Sequence, residues 1–457
     1  MSDAFFAPLD LERFDLRQAA HLLRRAGFAP TRAELGAAVE QGLEATVDGL
    51  FAENSEEQAA FQQTFDAVAG SLVNFADASQ VQAWWVHRML RSAVPLREKL
   101  TLFWHGHFAT SVHKVEDAVL MHQQIETLRA HAWGNFRDLV LAVARDPAML
   151  VWLDGESSTA QHPNENFARE LMELFTCGIG NYSERDVREA ARAFTGWHRA
   201  GNQFVFVAEE HDGERKRFLG RSGRFDGGDV VDLLMQHPAT PRFIAAKLLK
   251  FFATAEPSTD AIAAAAQLLD RTRLDVKWFL RELFLSRYFH SEVCRRRRLA
   301  SPLEFVVGSV RALGARMPSL ELVEHMAAMG QELLAPPNVK GWDGEQTWIN
   351  SSTWPARLSF AQNVASIFSE NPYGPHLPLE AIVSPELNGP LEVVDQLAEA
   401  LMQGELAEGV RSELAEFMVT TDEGRNVEAF RDDEGFRAEK TREALAMILS
   451  LPEYHAW

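Results

Sequence analysis

Cysteine is nearly absent from this 457-residue chain: Cys177 and Cys294 are the only two. That count excludes a disulfide framework and is equally compatible with two free buried thiols in a reducing compartment. Basic residues are also in short supply, 45 against 65 acidic ones, leaving a formal charge of −20. A field of that sign repels a nucleic-acid duplex, so nucleic acid is not expected as a partner. No stretch approaches the roughly 20 uninterrupted apolar residues of a spanning helix. Even 139–153 is broken by Arg145, Asp146 and Pro147, and membrane insertion is not expected. The amino terminus carries no basic n-region, long apolar run or small-residue cleavage pattern, which leads to a cytoplasmic expectation. Period-two alternation is rare, and neither an internal repeat nor a low-complexity tract occurs.

What the chain does have is 46% hydrophobic residues, enough for a sizeable core, set mainly at spacings of three and four. The expected fold is therefore mainly α. The clearest predicted helices run over 17–26, 81–91, 96–107, 114–132, 135–144, 165–176 and 185–197. Thr31 is expected to cap a helix after Pro30, and Ser183 the last of these. The exception is Asn202-Gln-Phe-Val-Phe-Val-Ala, followed by His211-Asp-Gly and Lys216-Arg-Phe-Leu-Gly, which reads as strand, turn, strand. This single β-hairpin, 201–227, divides an amino-terminal helical lobe, 1–200, from a carboxy-terminal one, 228–457, within one compact multi-helix body. Proline and glycine between 371 and 390 predict a surface connection, with helical pattern resuming from Leu391.

The most informative segment is Pro163-Asn-Glu-Asn-Phe-Ala-Arg-Glu-Leu-Met-Glu-Leu-Phe-Thr. Asn164 is a natural cap, and Gly178 and Gly180 end the helix. At about 100° per residue, Asn166, Arg169, Glu170 and Glu173 share an arc of about 100° opposite Phe167, Leu171, Leu174 and Phe175. Such a stripe is either a solvated face with i,i+4 pairs or a functional surface. The second segment, Leu102-Phe-Trp-His-Gly-His-Phe, sets His105 and His107 about 160° apart in an ideal helix. Both can ligate one metal only if Gly106 breaks the helix; otherwise they are core and helix-end histidines. With Glu170 they are the candidate metal set, for a divalent ion such as zinc.

His211 and Asp212 form a candidate acid/base pair in the hairpin turn, or plain turn chemistry. The loop Pro336-Pro-Asn-Val-Lys-Gly-Trp-Asp carries an amide, an amine and an indole at Asn338, Lys340 and Trp342. It suits polar or carbohydrate recognition and equally suits a packed connection held by Trp342 and Trp348. The basic quartet 295–298 reads as a set of local salt-bridge partners on so acidic a protein.

Several motifs in order carry a resemblance: Phe103-Trp-His-Gly-His-Phe, Asn135-Phe-Arg-Asp-Leu, Asp146-Pro-Ala-Met-Leu, Asn164-Glu-Asn-Phe-Ala-Arg-Glu-Leu-Met-Glu-Leu-Phe, Ala190-Ala-Arg-Ala-Phe-Thr-Gly-Trp and Pro337-Asn-Val-Lys-Gly-Trp. From about His21 onward the chain resembles the bacterial domain-of-unknown-function family numbered 1800. The resemblance implies a helical protein, often encoded beside a sulfatase-like family, with some relatives exported. It also implies that His105, His107, Asn164, Glu165, Asn166, Arg169, Glu170 and Glu173 belong to the family pattern. Ser158, where asparagine is usual, and Cys177, where leucine is usual, depart from it.

Two functions are expected from these features. One is an enzyme performing metal- or carboxylate-assisted hydrolysis or elimination on a polar glycan or peptide. Glu170, Glu173, Arg169, His211 and Asp212 are then catalytic, and Asn164, Asn166, Asn338, Lys340 and Trp342 bind substrate. The other is a non-catalytic binding or scaffold protein that partners a neighbouring sulfatase-like gene product.

Overall fold

The computed structural model describes residues 5–10, 14–52, 56–367, 371 and 373–457. It is mainly α, with three small antiparallel strand pairs among the described residues. Local chemistry accounts for most helix starts. Asp15 caps Leu16–Ala26 in a reciprocal box with Gln18, and Thr31 and Glu34 do the same for Arg32–Gln41. Ser183 and Asp186 box the start of Glu184–Ala193, and Pro95 opens Pro95–His107, where its missing N–H is not needed.

Expectation and structure part in four places. The helix predicted over 114–132 is two, Val112–Val115 and Ala118–Ala130. Glu116 adopts a left-handed conformation with φ 53°, and the Asp117 side chain accepts the Val119 and Leu120 N–H groups to begin the second helix. The single hairpin is in fact two. Trp197, expected to end a helix, instead opens the strand Trp197–Ala200, which pairs with Gln203–Phe206 in the register Trp197 to Phe206, and Lys216–Phe218 pairs with Arg221–Gly223. Gly201, at φ 61°, makes the first reversal, whereas Asp212 lies in the segment between the two strand pairs, its carboxylate held by Arg192. Between 371 and 390, of which residue 372 lies outside the described residues, one helical turn forms at Leu379–Ile382 with Ile382 buried. Past 391, a strand pair, Thr420–Thr421 with Gly424–Arg425, interrupts the helices. The amino-terminal reading falls partly on 1–4 and 11–13, outside the described residues.

Two apolar clusters form the interior. One gathers residues between Phe6 and Cys294, the other between Phe28 and Trp457, so each takes side chains from both 1–200 and 228–457. Pro95–His107 runs between them: Leu96, Leu100, Phe103 and Trp104 belong to the first and Leu102 to the second. Nearly every residue of this helix is buried, Glu98 and Lys99 included. Among the described residues no helix is long and apolar enough to cross a membrane.

Candidate functional site

Helical geometry runs unbroken through Gly106, so His105 and His107 point to opposite sides. His105 is edge-on to Trp85 and Trp342 at ring distances of 5.4 and 5.6 Å, and its Nε2 accepts the Leu334 N–H at 3.3 Å. Burial pushes its pKa down to about 4. His107 donates from Nε2 to the Phe175 carbonyl at 3.0 Å, so Nδ1 is the acceptor, and Lys247 Nζ donates to it at 3.0 Å. Burial, and then the Lys247 ammonium, hold this ring well below its ordinary range.

The motif helix explains that bond. It is α-helical over Glu165–Glu170 and widens into a π-turn over Leu171–Thr176. Its last carbonyls lose their intrahelical donors and must be paired elsewhere. Thr176 Oγ1 donates to the Leu171 carbonyl at 2.6 Å, His107 to Phe175, and Lys247 Nζ to Leu174 at 3.1 Å. The cation sits where the helix dipole is negative. The two distant motifs therefore meet, through an imidazole, an ammonium and two carbonyls.

The polar stripe is largely engaged within the protein. Asn164 caps the helix through the Asn166 N–H at 2.8 Å and donates its amide to the Asp154 carbonyl, while Asn166 donates to the Asp154 carboxylate at 3.2 Å. Ser158 has a place here too, its Oγ accepting the Asn164 N–H at 3.1 Å. Arg169 forks onto both Glu184 oxygens at 2.8 Å and reaches Glu165 at 3.2 Å. Glu173 accepts the Tyr182 hydroxyl at 3.0 Å. Among the described residues Glu170 has no such partner. Its pKa is raised by burial first and then by Glu173, with Arg169 and Lys340 opposing.

His211 donates from Nδ1 to the Thr195 carbonyl at 2.9 Å. Asp212 is paired with Arg192 at 2.6 Å and accepts the Glu214 N–H. Burial acts against its ionised form, but these bonds hold its pKa below the usual carboxylate range. Both residues fasten the 211 turn to helix Glu184–Ala193.

A hollow of about 220 Å³ opens beside His107. Its floor is Leu102, Phe103 and Gly106, one wall is Lys247, Lys250 and Phe251, and the other is the 336–348 loop with Lys340, Trp342 and Trp348. Arg298, Ser301, Gln331, Asp343 and Glu345 complete the rim. Gly341 lets the loop lie this close: it adopts φ 84°, and a Cβ there would collide with the Gly106 carbonyl oxygen. Asn338 braces the loop by accepting the Lys340 N–H at 2.9 Å. Burial pushes Lys247 down to about 8. A wider trough of about 760 Å³ beside Pro8, Arg271 and Trp278 contains none of the predicted residues.

Of the predicted site residues, the structure thus brings His107, Lys340 and Trp342 to one hollow, with Glu170 near enough to feel the Lys340 charge. His211, Asp212, Asn164 and Asn166 do not line it. The metal set of His105, His107 and Glu170 does not assemble, because both His107 nitrogens and Nε2 of His105 are already hydrogen-bonded. Among the described residues no group of three or more His, Cys, Asp or Glu side chains is placed to hold a metal ion. Sequence reasoning missed Lys247. Its one signal was an amine four residues from both Phe243 and Phe251 on a largely apolar helix, Ala239–Phe252.

Behind the hollow, Arg298 and Lys99 both bond Glu304, which also accepts the Ser301 N–H at 2.8 Å. Burial alone would raise the Glu304 pKa, yet Arg298 and Lys99 hold it far below the carboxylate range. Of the rest of the basic quartet, Arg295 pairs with Glu292 and Arg296 with Glu405, while Arg297 donates to the Glu292 carbonyl.

Fold and site together define a mainly helical protein with an aromatic-walled, cation-rich hollow at the meeting point of its two longest-range motifs. The chain belongs to the family described as Protein of unknown function (DUF1800), whose model matches residues 21–456. No curated protein and no solved structure matches it.

Proposed function

We propose that this protein is an enzyme that binds a polar substrate by an anionic group in the 220 Å³ hollow and cleaves it by hydrolysis or elimination. The observation that carries the reading is Lys247: a desolvated amine at the hollow's wall, bonded to an imidazole and a carbonyl and, among the described residues, to no carboxylate. A half-buried cation without a counter-ion is completed by an anionic ligand, and Lys340 lies exposed on the opposite wall. Trp342 and Trp348 supply flat apolar surface, and Gln331 and Ser301 supply hydrogen-bonding groups. Glu170, its pKa raised by burial and by its like-charged neighbour, is suited to act as acid or base.

The test is calorimetric binding of uronic acids and acidic peptides, followed by product analysis on anionic glycans and peptides. Lys247→Met is expected to weaken binding at least tenfold. Glu170→Gln is expected to leave binding intact and lower turnover by about 10²-fold or more. Retained turnover in Glu170→Gln, or undiminished binding in Lys247→Met, would overturn the assignment.

One observation favours a second reading, a binding protein docking a sulfatase-like partner: most of the polar stripe is spent on internal pairs. Co-purification of that partner with the Glu170→Gln variant, together with no product from any glycan or peptide, would support it.

A further inference from the structure

The 220 Å³ hollow does not end at its rim. A second trough of about 540 Å³ adjoins it and shares Lys250, Arg298, Gly344 and Glu345 as lining. Beyond these, the trough is lined by Arg296, Arg297, Gln346, Thr347 and Glu256. On a chain of formal charge −20, this is a concentrated run of cations: Lys247, Lys250, Arg296, Arg297, Arg298 and Lys340 border the two spaces. Lys250, Arg297 and Lys340 are exposed, and among the described residues neither Lys250 nor Lys340 is held in an ion pair. Arg297 uses one N–H, from Nε, on the Glu292 carbonyl at 3.1 Å.

We infer that the substrate of the hollow is an anionic oligosaccharide, its terminal acidic unit in the hollow and its following units along the Lys250–Arg297 trough. This deepens the function proposed above and rests on it. Three features select a sugar chain over other polyanions. Three carboxylates, Asp343, Glu345 and Glu256, stand among the cations of the lining, where they accept sugar hydroxyls but repel a phosphate at every unit. Amide and hydroxyl groups, Gln331, Ser301, Gln346 and Thr347, occur in both spaces, as a hydroxyl-rich ligand requires. The indoles stand at the inner end, where one ring can stack, and not along the trough, as successive bases would need. A chain charged at every second unit fits this lining.

The experiment is calorimetric titration of the full chain with glucuronic acid, with a hexasaccharide of alternating glucuronate and N-acetylhexosamine, with the sulfated form of that hexasaccharide, and with single-stranded oligouridylate. Either hexasaccharide is expected to bind at least tenfold tighter than the monosaccharide, and the tighter of the two identifies the anion as carboxylate or sulfate. In Arg297→Glu/Gln346→Glu, two exposed positions that line the trough and not the hollow, that gain is expected to vanish while glucuronic acid binds unchanged. Monosaccharide binding with no gain from length, or a gain that survives the double substitution, overturns the inference and leaves the hollow's own function standing. Binding of neither saccharide overturns both. Oligouridylate binding tighter than either hexasaccharide overturns the sugar assignment in favour of a nucleic acid.

Discussion

His107 shows how one side chain joins two motifs that lie 68 residues apart in its bond to Phe175. Its ring closes the end of the π-turn from one nitrogen and steadies Lys247 from the other. Removing it leaves the Phe175 carbonyl buried without a donor and opens a gap against Phe103, Trp104 and Phe108. His107→Ala is therefore expected to lose about 3 kcal/mol of stability, the order of a large-to-small core change plus an orphaned acceptor. Chemical denaturation measures this. Hydrogen exchange should find the Cys177 and Gly178 amides, both donors to Met172, deprotected first. A variant as stable as the parent would mean that the carbonyl finds water or another donor.

The contact between helix Pro95–His107 and the 336–348 loop turns on two glycines with opposite needs. Gly106 has open space where a Cβ would be and sits in the last turn of a helix, where alanine is the better residue. Gly341 combines a left-handed backbone with a Cβ position blocked by the Gly106 carbonyl oxygen. Gly106→Ala is expected to be neutral or stabilising by up to about 1 kcal/mol. Gly341→Ala is expected to destabilise by at least about 1–2 kcal/mol from the backbone alone and to lift the loop, weakening any ligand of the hollow. Thermal midpoints read the stabilities, and Trp342, half-buried at the loop's tip, reads the displacement by its emission. Equal midpoints for the two variants would count against the packing described.

Across the molecule, burial of titratable groups sets how the fold responds to acid. His105 and His290 are pushed down to about 4 and His455 to about 3, in each case chiefly by burial. Unfolded, these rings bind protons from about pH 6.5 downward; folded, they stay neutral. Stability is thus full above pH 6.5 and falls by up to about 1.4 kcal/mol per pH unit per ring as the pH drops toward 4. Asp146 acts in the opposite sense. Burial raises it to about 7, so the folded chain takes up that proton first and regains part of the loss between pH 7 and the unfolded value near 3.8. With three rings against one carboxyl, the denaturant midpoint is expected to be clearly lower at pH 5 than at pH 7. A midpoint that holds or rises would mean that the buried histidines accept protons within the fold.

Much of this was legible in the amino-acid order, because helix periodicity and capping act over a few residues. Thr31, Ser183 and Asn164 cap the helices their neighbours announce, and the motifs from 103 to 342 identify the family. Acidic composition and the spacing of apolar residues are likewise properties of the chain as written. The pairing of Trp197–Ala200 with Gln203–Phe206 was not legible, since Trp197 continues the apolar spacing of the helix before it and the strand starts there only because the chain reverses at Gly201. Nor was the role of Lys247: an amine on an apolar helix acquires its meaning from Leu174, His107 and the Gly341 loop converging on it. Hydrogen-bond partners separated by 70 or 140 positions are chosen by packing, where each buried donor must find the acceptor the neighbouring element leaves unpaired.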